Sequence, residues 1–283
     1  MFDAASLSET GRPLQPRAEG SVRLTVKASD GRTRIDGLRH QGSAKCLVPR
    51  IPDNADGRLE GVIINTAGGI TGGDRFEWQA EAGPDTRLSL TTQAAERAYR
   101  ALPGETGRLV TRLTARRGSL LAWLPQETIL YDGGALERRL IADLEPGARF
   151  LALEPLILGR AAMGETVRSA RFVDAWEVRR DGRLIFADTL RLEGPVAKIA
   201  ARPACFGGHI AAASLLYVGP DAEDRLAPAR AALPTAPAEG GVSAWDGMLA
   251  ARLLAPSAAT LRTALARLIR ALDLLPVPRV WAS

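Results

Sequence analysis

The sequence is poor in the residues that most often bind metal ions or carry redox chemistry. Its 283 residues include two cysteines, Cys46 and Cys205, and two histidines, His40 and His209. No CxxC pair occurs, which excludes the spacing of zinc ribbons and of thioredoxin-like sites. Cys205 and His209 lie four residues apart, but the two glycines between them argue against a shared helix face. Each histidine is therefore interpreted as structural, and convergence of these side chains in space stays open.

Long apolar segments are also missing. No run approaches the roughly 20 residues needed to cross a bilayer. Residues 1–20 carry acids early and contain no continuous apolar stretch. These features predict no signal peptide, no association with membranes and a cytoplasmic location. We expect residues 1–20 to form a flexible tail and residues 21–283 to form a single β-rich domain.

The excess of positive charge is small. The chain has 37 basic and 32 acidic side chains, which gives a formal net charge of +5. Its densest basic stretches, "ARRG" and "VRRDGR", are short, and neither forms a long stripe with interleaved aromatic residues. Nucleic-acid binding usually depends on such a stripe or patch. The sequence therefore predicts no nucleic-acid partner.

Alternating strands and tight turns dominate the sequence. Apolar and polar residues alternate before Asp30-Gly31, and they alternate on both sides of Asp181-Gly182. Alternation turns one face of a strand inward, and Asp-Gly is a strong hairpin turn. Residues 137–155, which are centred on Pro146-Gly147, form a third hairpin candidate.

Helical patterns are fewer. From Ser257, a plausible N-cap, leucines repeat at three- and four-residue steps as far as Pro276, which predicts a C-terminal amphipathic helix. A shorter helix with a break at Pro228 is expected within 219–234, and residues 94–101 favour helix by composition. The balance predicts a mainly β fold, a many-stranded stacked-sheet or solenoid-like architecture with a few helices. No repeat of fixed period is visible, so a regular solenoid lacks support in the sequence.

The stretch "INTAGGITGGD" (64–74) suggests a phosphate-binding loop at first sight. The glycine spacing of a Walker A loop occurs between Gly68 and Gly73, but Asp74 occupies the position of the lysine. The residues that follow alternate like a strand and do not open a helix, so no helix N-terminus would support a pyrophosphate. The glycines are better explained by a tight turn against which another backbone packs closely.

Two other classes of function stay open from the residues alone. One is a β-rich hydrolase or lyase that uses paired carboxylates, and the other is a ligand-binding β module. No G-x-S-x-G motif is present, so an acyl-transfer triad would have to be assembled across the fold. The acids available for a carboxylate pair are Glu96, Glu127, Asp132, Glu154, Glu165 and Asp188.

Five stretches together are specific for one family. They are "INTAGGITGGDRF", "TTQAAERAYRA", "AWLPQETILYDGGA", "LILGRAAMGE", and "AARLLA" followed by a helix and "LPVPRVW". In this order and spacing the chain resembles the urease accessory protein UreD family, called UreH in some organisms. The resemblance extends from about Ser21 to Trp281.

This resemblance implies a protein that is not an enzyme. Members of the family act as chaperones in assembly of the dinickel centre of urease. They bind the urease apoprotein and the accessory protein UreF, and UreF recruits the GTPase UreG. Internal tunnels have been proposed as a route for nickel. The resemblance therefore predicts no tightly bound cofactor and, at most, transient contact with Ni²⁺.

A nickel path needs weak, successive ligands and not an enclosing site. Acidic and polar side chains within or beside the family-like stretches are candidates for that path or for contacts with partners. They are Asp74, Thr92, Gln93, Glu154, Glu165 and Asp188. Trp78, Trp123 and Trp245 are expected to be either partner contacts or core residues.

Overall fold

The computed structural model describes residues 16–51, 54, 56–160 and 163–282. The predicted tail therefore lies largely outside the described residues, in positions 1–15. Its predicted end at residue 20 falls inside the first strand, Glu19–Ser29. The backbone N–H of Ala18 already donates to Asp74 Oδ1 at 2.8 Å, and Arg17 pairs with Glu105. The described chain is thus tied to the domain before residue 21.

Two sheets make up most of the protein. The smaller sheet has the order β14-β13-β11-β8-β5-β1-β2, and the larger has β16-β17-β15-β12-β9-β6-β4-β3, with β10 and β7 added beside β12. The strands of the smaller sheet are β1 (Glu19–Ser29), β2 (Arg32–Gly42), β5 (Arg75–Ala82), β8 (Gly107–Ala115), β11 (Ala135–Leu144), β13 (Ala170–Arg180) and β14 (Arg183–Gly194). Those of the larger are β3 (Ala44–Leu47), β4 (Leu59–Asn65), β6 (Arg87–Thr92), β7 (Glu96–Ala98), β9 (Leu120–Trp123), β10 (Thr128–Leu130), β12 (Arg149–Leu158), β15 (Ala211–Val218), β16 (Glu239–Trp245) and β17 (Met248–Ala255).

The centre of the fold is a short parallel solenoid, which confirms the predicted mainly β, stacked architecture. Each coil runs through one strand of the larger sheet and then one of the smaller, and strands of successive coils pair in parallel. The coils begin at Leu59, Arg87, Leu120 and Arg149, so they advance by 28, 33 and 29 residues. This variation explains why no fixed period is visible in the sequence.

Two of the three predicted hairpins are confirmed. Asp30-Gly31 joins β1 to β2 and Asp181-Gly182 joins β13 to β14, with positive φ at both residues of each turn. The prediction of a hairpin at Pro146-Gly147 is wrong, because β11 and β12 lie in different sheets. The turn makes a corner of the solenoid instead, and each strand pairs with the parallel strand of the preceding coil.

Three helices cover small parts of the described chain: α1 (Val196–Ala200), α2 (Leu226–Ala231) and α3 (Ala258–Leu272). None of the helices in the described ranges is both long and apolar enough to cross a membrane. The predicted break at Pro228 is wrong, because this proline lies in the first turn of α2, where its missing N–H is not needed. The predicted helix at 94–101 is also wrong. Glu96–Ala98 forms β7, where pairing with β10 overrides helix propensity.

The C-terminal amphipathic helix is confirmed. Ser257 precedes α3 with extended backbone, and its Oγ accepts a hydrogen bond from the Thr260 N–H at 3.1 Å. The leucine stripe, which includes Leu261, Leu265 and Leu268, is buried against the larger sheet. The helix therefore covers the face of that sheet which does not meet the smaller sheet.

Replacing Ser257 with alanine is expected to lower the free energy of unfolding by about 1 kcal/mol, because an N–H at the start of α3 loses its acceptor. Chemical unfolding followed by circular dichroism would measure this. Replacement with aspartate keeps an acceptor in place and serves as the control. Equal losses for alanine and aspartate would contradict a capping role.

Two apolar cores lie on the two faces of the larger sheet. One fills the space between the sheets and the other lies under α2 and α3. The central strand β12 is buried on both faces. Trp78 and Trp123 are core residues, each 2% exposed, whereas Trp245 is 40% exposed. The inter-sheet core is where the candidate site lies.

Candidate functional site

Two of the six predicted site residues, Glu154 and Asp188, line one cavity between the sheets. Glu154 is on β12 of the larger sheet, and Asp188 is on β14 at the edge of the smaller sheet. The cavity has a volume of about 120 Å³. Its other polar lining includes Arg138, Asp174, Thr189, Cys205, Ser214 and Arg252.

A cluster of three charges forms the more buried end of this cavity. The Arg138 guanidinium donates to Asp174 from Nη2 at 2.6 Å and from Nε at 3.2 Å, and donates from Nη1 to Thr128 Oγ1 at 2.9 Å. Trp123 Nε1 donates to Glu154 Oε1 at 2.9 Å. The side chains of Arg138, Glu154 and Asp174 are 3%, 1% and 8% exposed. One buried cation is thus shared between two buried carboxyl groups.

The second oxygen of Glu154 faces the Arg138 guanidinium without an aligned hydrogen bond. Oε2 lies 2.8 Å from Arg138 Nε, but that N–H is directed at Asp174. Among the described residues this buried oxygen has no aligned donor. Burial raises the pKa of Glu154 to about 8, because lost hydration outweighs the attraction of Arg138. Burial alone would lower the pKa of Arg138, but the carboxylates of Asp174 and Glu154 raise it.

The other end of the cavity is open to solvent. Asp188 Oδ2 pairs with Arg252 Nη2 at 2.5 Å, and its Oδ1 accepts from the Thr189 N–H at 2.9 Å. The side chain of Arg252 is 72% exposed, and Cys205 is exposed beside it. Carboxylate and thiolate groups are ligands that divalent nickel accepts. Within 16–51, 54, 56–160 and 163–282, no three His, Cys, Asp or Glu side chains are grouped to hold a metal ion.

Asp74 lies away from this cavity and organises the glycine-rich stretch. The side chain is buried, and both carboxylate oxygens accept backbone hydrogen bonds at 2.8 Å. Oδ1 accepts from Ala18 and Oδ2 from Thr71. The carboxylate at the end of the stretch therefore joins its own turn to the chain entering β1.

The three other predicted residues lie at two other places, Thr92 and Gln93 at the end of β6 and Glu165 in the loop between β12 and β13. Thr92 Oγ1, at the end of β6, donates to Ala94 O at 3.1 Å and accepts from the Gln126 N–H at 2.9 Å. The neighbouring Gln93 is exposed, and its carbonyl accepts from Gln126 Nε2 at 3.0 Å. Glu165 accepts from Arg160 Nε at 2.8 Å, and this hydrogen bond lowers the pKa of Glu165.

Four of the family-like stretches stack at one corner of the solenoid. Ile70 of the glycine-rich stretch bridges to Ala98, β7 pairs with β10, and β10 pairs with β12. Tyr99 Oη donates to Gly68 O at 3.1 Å, and the rings of Tyr99 and Tyr131 meet edge to face at 5.0 Å. Motifs that are separate in sequence thus form one continuous stack. Residues 161 and 162 of the fourth stretch lie outside the described residues.

Comparison with known proteins identifies the family of this chain. A sequence model of one family, described as UreD urease accessory protein, matches residues 18–282. The chain belongs to the UreD family. The matched range contains all the strands and helices described above, so the UreD similarity applies to the whole described domain and not to one motif.

Curated UreD proteins are similar over nearly their full length. The urease accessory protein UreD of Rhizobium leguminosarum bv. trifolii (strain WSM2304) is 51% identical over 266 residues, covering 94% of this chain and 95% of that protein. The UreD of Xanthobacter autotrophicus (strain ATCC BAA-1158 / Py2) is 47% identical over 281 residues, covering 99% and 96%. That of Agrobacterium fabrum (strain C58 / ATCC 33970) is 44% identical over 280 residues, covering 98% and 96%.

Sequence reasoning missed Arg138 and Asp174, the partners of Glu154 in this UreD protein. Each lies at an inward-facing position of a strand in which buried and more exposed residues alternate. Arg138 lies between the buried Leu136 and Leu140 on β11, and Asp174 between Phe172 and Trp176 on β13. A charged residue at a strand position where the alternation predicts an apolar one is the signal that could have identified them.

Proposed function

We propose that this protein is a urease maturation factor that binds the urease apoprotein and the UreF–UreG accessory proteins and helps to deliver nickel to the urease active site. In this role it is a scaffold or chaperone without catalytic activity of its own. Membership of the UreD family over residues 18–282 is the observation that carries the proposal. Curated relatives named as urease accessory proteins support it.

Glu154 and Asp188 are the predicted residues that we propose for a nickel path. They lie at the buried and the open end of the same cavity, so an ion could pass between them without leaving it. Because the pKa of Glu154 is raised, its carboxyl is largely neutral at pH 7 and would release its proton when a divalent cation arrives. Such binding is weak and reversible, which suits a cargo that must be passed on. Asp74, Thr92, Gln93 and Glu165 remain proposed as path or partner contacts.

Co-expression with the host urease subunits and the other accessory proteins tests both parts of the proposal. Omitting this chain should abolish nickel loading and activity of urease. Glu154→Gln and Asp188→Asn should each lower the nickel content of purified urease about tenfold or more, while complexes still form. Glutamine imitates the neutral carboxyl, so the fold should be retained. Glu177→Gln and Asp143→Asn make the same chemical changes on the outer face and are the controls.

Three outcomes would contradict the proposal at different points. Normal urease activation without this chain would reject the maturation role. Full nickel loading with Glu154→Gln and Asp188→Asn would reject the path while keeping the scaffold. Turnover by the isolated protein that depends on Glu154 would favour the paired-carboxylate hydrolase or lyase instead.

A further inference from the structure

The small positive charge of the protein is concentrated in one region. Residues 16–50 carry eight basic and three acidic side chains, a balance of +5. Residues 51–283 carry 28 basic and 27 acidic side chains. The concentrated region forms β1, β2 and β3, which lie at one side of the two-sheet stack. One side of the domain therefore accounts for the net charge of the whole chain.

On the outer face of the smaller sheet, pairs of opposite charge on most strands contrast with like charges at β1 and β2. Arginines of β8, β11 and β13 pair with glutamates on neighbouring strands. At β1 and β2, Arg23 lies directly opposite Arg39. Lys27 lies opposite Arg34, although its Nζ also pairs with Asp36 at 2.8 Å. Like charges directly opposite each other destabilise a sheet. The cross-strand pairs elsewhere on this face include Glu77–Arg112, Glu81–Arg116, Arg108–Glu137, Arg139–Glu177, Glu137–Arg171 and Arg171–Glu193.

The same side of the protein exposes strand edges and apolar side chains. β2 ends the smaller sheet and β3 ends the larger, so each has one edge unpaired with any strand of the described ranges. Ile35 and Leu38 on β2 are 42% and 39% exposed, although they face the core side, opposite Val26 and Leu24. Leu47 on β3 is 52% exposed. The charged residues lining a groove of about 990 Å³ beside them are Arg32, Arg34, Arg50, Arg58 and one acid, Glu60.

We propose that the open side formed by β2 and β3 docks an acidic, extended segment of a protein partner, which adds to the free edge of β2. A strand edge supplies backbone hydrogen bonds, and the exposed apolar residues supply burial. Acidic side chains of the partner would offset the repulsion between Arg23 and Arg39. Single-stranded nucleic acid fits less well, because its bases stack on aromatic side chains and residues 16–50 contain no Phe, Tyr or Trp. This proposal rests on the scaffold role proposed above.

Charge reversal of full-length protein tests the docking surface. The test variant is R23E/R34E/R39E, and the control is R183E/K198E/R202E, which makes the same change in charge around the opposite edge of the smaller sheet. Purified urease apoprotein and purified UreF-like protein from the same host are the two probes. One of them should bind wild-type protein less tightly as salt rises, and should bind the test variant about tenfold or more weakly. The control should bind like wild-type protein.

The single variant R39E separates binding from folding. It places a glutamate opposite Arg23, so its melting temperature should equal or exceed that of wild-type protein while its affinity for the same probe falls. Unchanged affinity in the triple variant would overturn the docking surface, as would binding of neither probe by wild-type protein. Preferred binding of single-stranded RNA would also overturn it. If the triple variant binds a probe as tightly as wild-type protein does and urease activation still requires the chain, the scaffold role stands and only the surface is rejected. If neither probe binds wild-type protein, the proposed scaffold role is rejected together with the surface.

Discussion

Replacing Arg138 with methionine is expected to lower the free energy of unfolding by about 3–5 kcal/mol. The change removes the cation that lies between Glu154 and Asp174, and the side chains of both acids are less than a tenth exposed. Thr128 Oγ1 also loses its charged donor. Urea unfolding at neutral pH, monitored by tryptophan fluorescence, would measure the loss.

The pH dependence of this variant has a defined sign. In the native protein the carboxyl group of Glu154 keeps its proton up to about pH 8, whereas in the unfolded chain it loses the proton at about pH 4.3. The native state therefore binds more protons in this window, and stability falls as the pH rises through it. Without Arg138 the pKa of Glu154 rises further. Between about pH 5 and about pH 8 both folded proteins keep this proton, so the difference in stability between variant and wild-type protein should be constant there. It should grow above about pH 8, where only the wild-type protein releases the proton.

Two comparisons isolate the buried charge as the cause. Arg139→Met makes the same change at the next residue, where the side chain is 53% exposed and pairs with Glu177, and should cost less than about 1 kcal/mol. R138M/E154L/D174L removes the whole charged cluster and should recover most of the stability lost by R138M. Similar losses for R138M and R139M, or no recovery in the triple variant, would contradict the account.

Local sequence patterns identified much of the fold, and their failures have physical causes. The Asp-Gly turns were predictable because few other dipeptides adopt positive φ at both positions without strain. Pro146-Gly147 resembles a hairpin turn in sequence, yet which sheet each flanking strand joins depends on parallel partners about 30 residues away in the chain. Residues 94–101 favour helix by composition, but β7 gains its hydrogen bonds from β10, which no local pattern contains.

The candidate site was predictable only in part. Glu154 and Asp188 are acids that the sequence predicts as site residues, and the fold brings both to one cavity. The sequence did not indicate that Glu154 would share a cation with Asp174, because their strands lie in different sheets. Asp74 was predicted as a polar residue with an open role. One of its two backbone hydrogen bonds comes from Thr71 in the same turn, but the other comes from Ala18, which is 56 residues away, and no spacing rule specifies that contact.

Replacing Gly69 with alanine is expected to lower the free energy of unfolding by about 3 kcal/mol or more. A Cβ at this position would lie 2.2 Å from Tyr99 Cε2 and 2.8 Å from Arg97 O. The backbone at Gly69 also has a φ of +156°, which residues other than glycine rarely adopt. The glycine is needed because the stacked corner brings β7 directly against it. Thermal and urea unfolding would measure the loss.

Gly68 provides the matched control for this close approach. Its φ is +81°, but a Cβ there would meet no atom within 4 Å, so Gly68→Ala should cost only about 1 kcal/mol of backbone strain. In the Gly69→Ala background, Tyr99→Ala removes the ring that the new methyl group meets, so the double variant should lose less than the sum of the single variants. Equal costs at Gly68 and Gly69, or additive losses, would mean that positive φ alone explains these glycines. A larger cost at Gly69 with non-additivity would mean that the glycine-rich stretch is shaped by its contact with the next coil, a role that requires no phosphate.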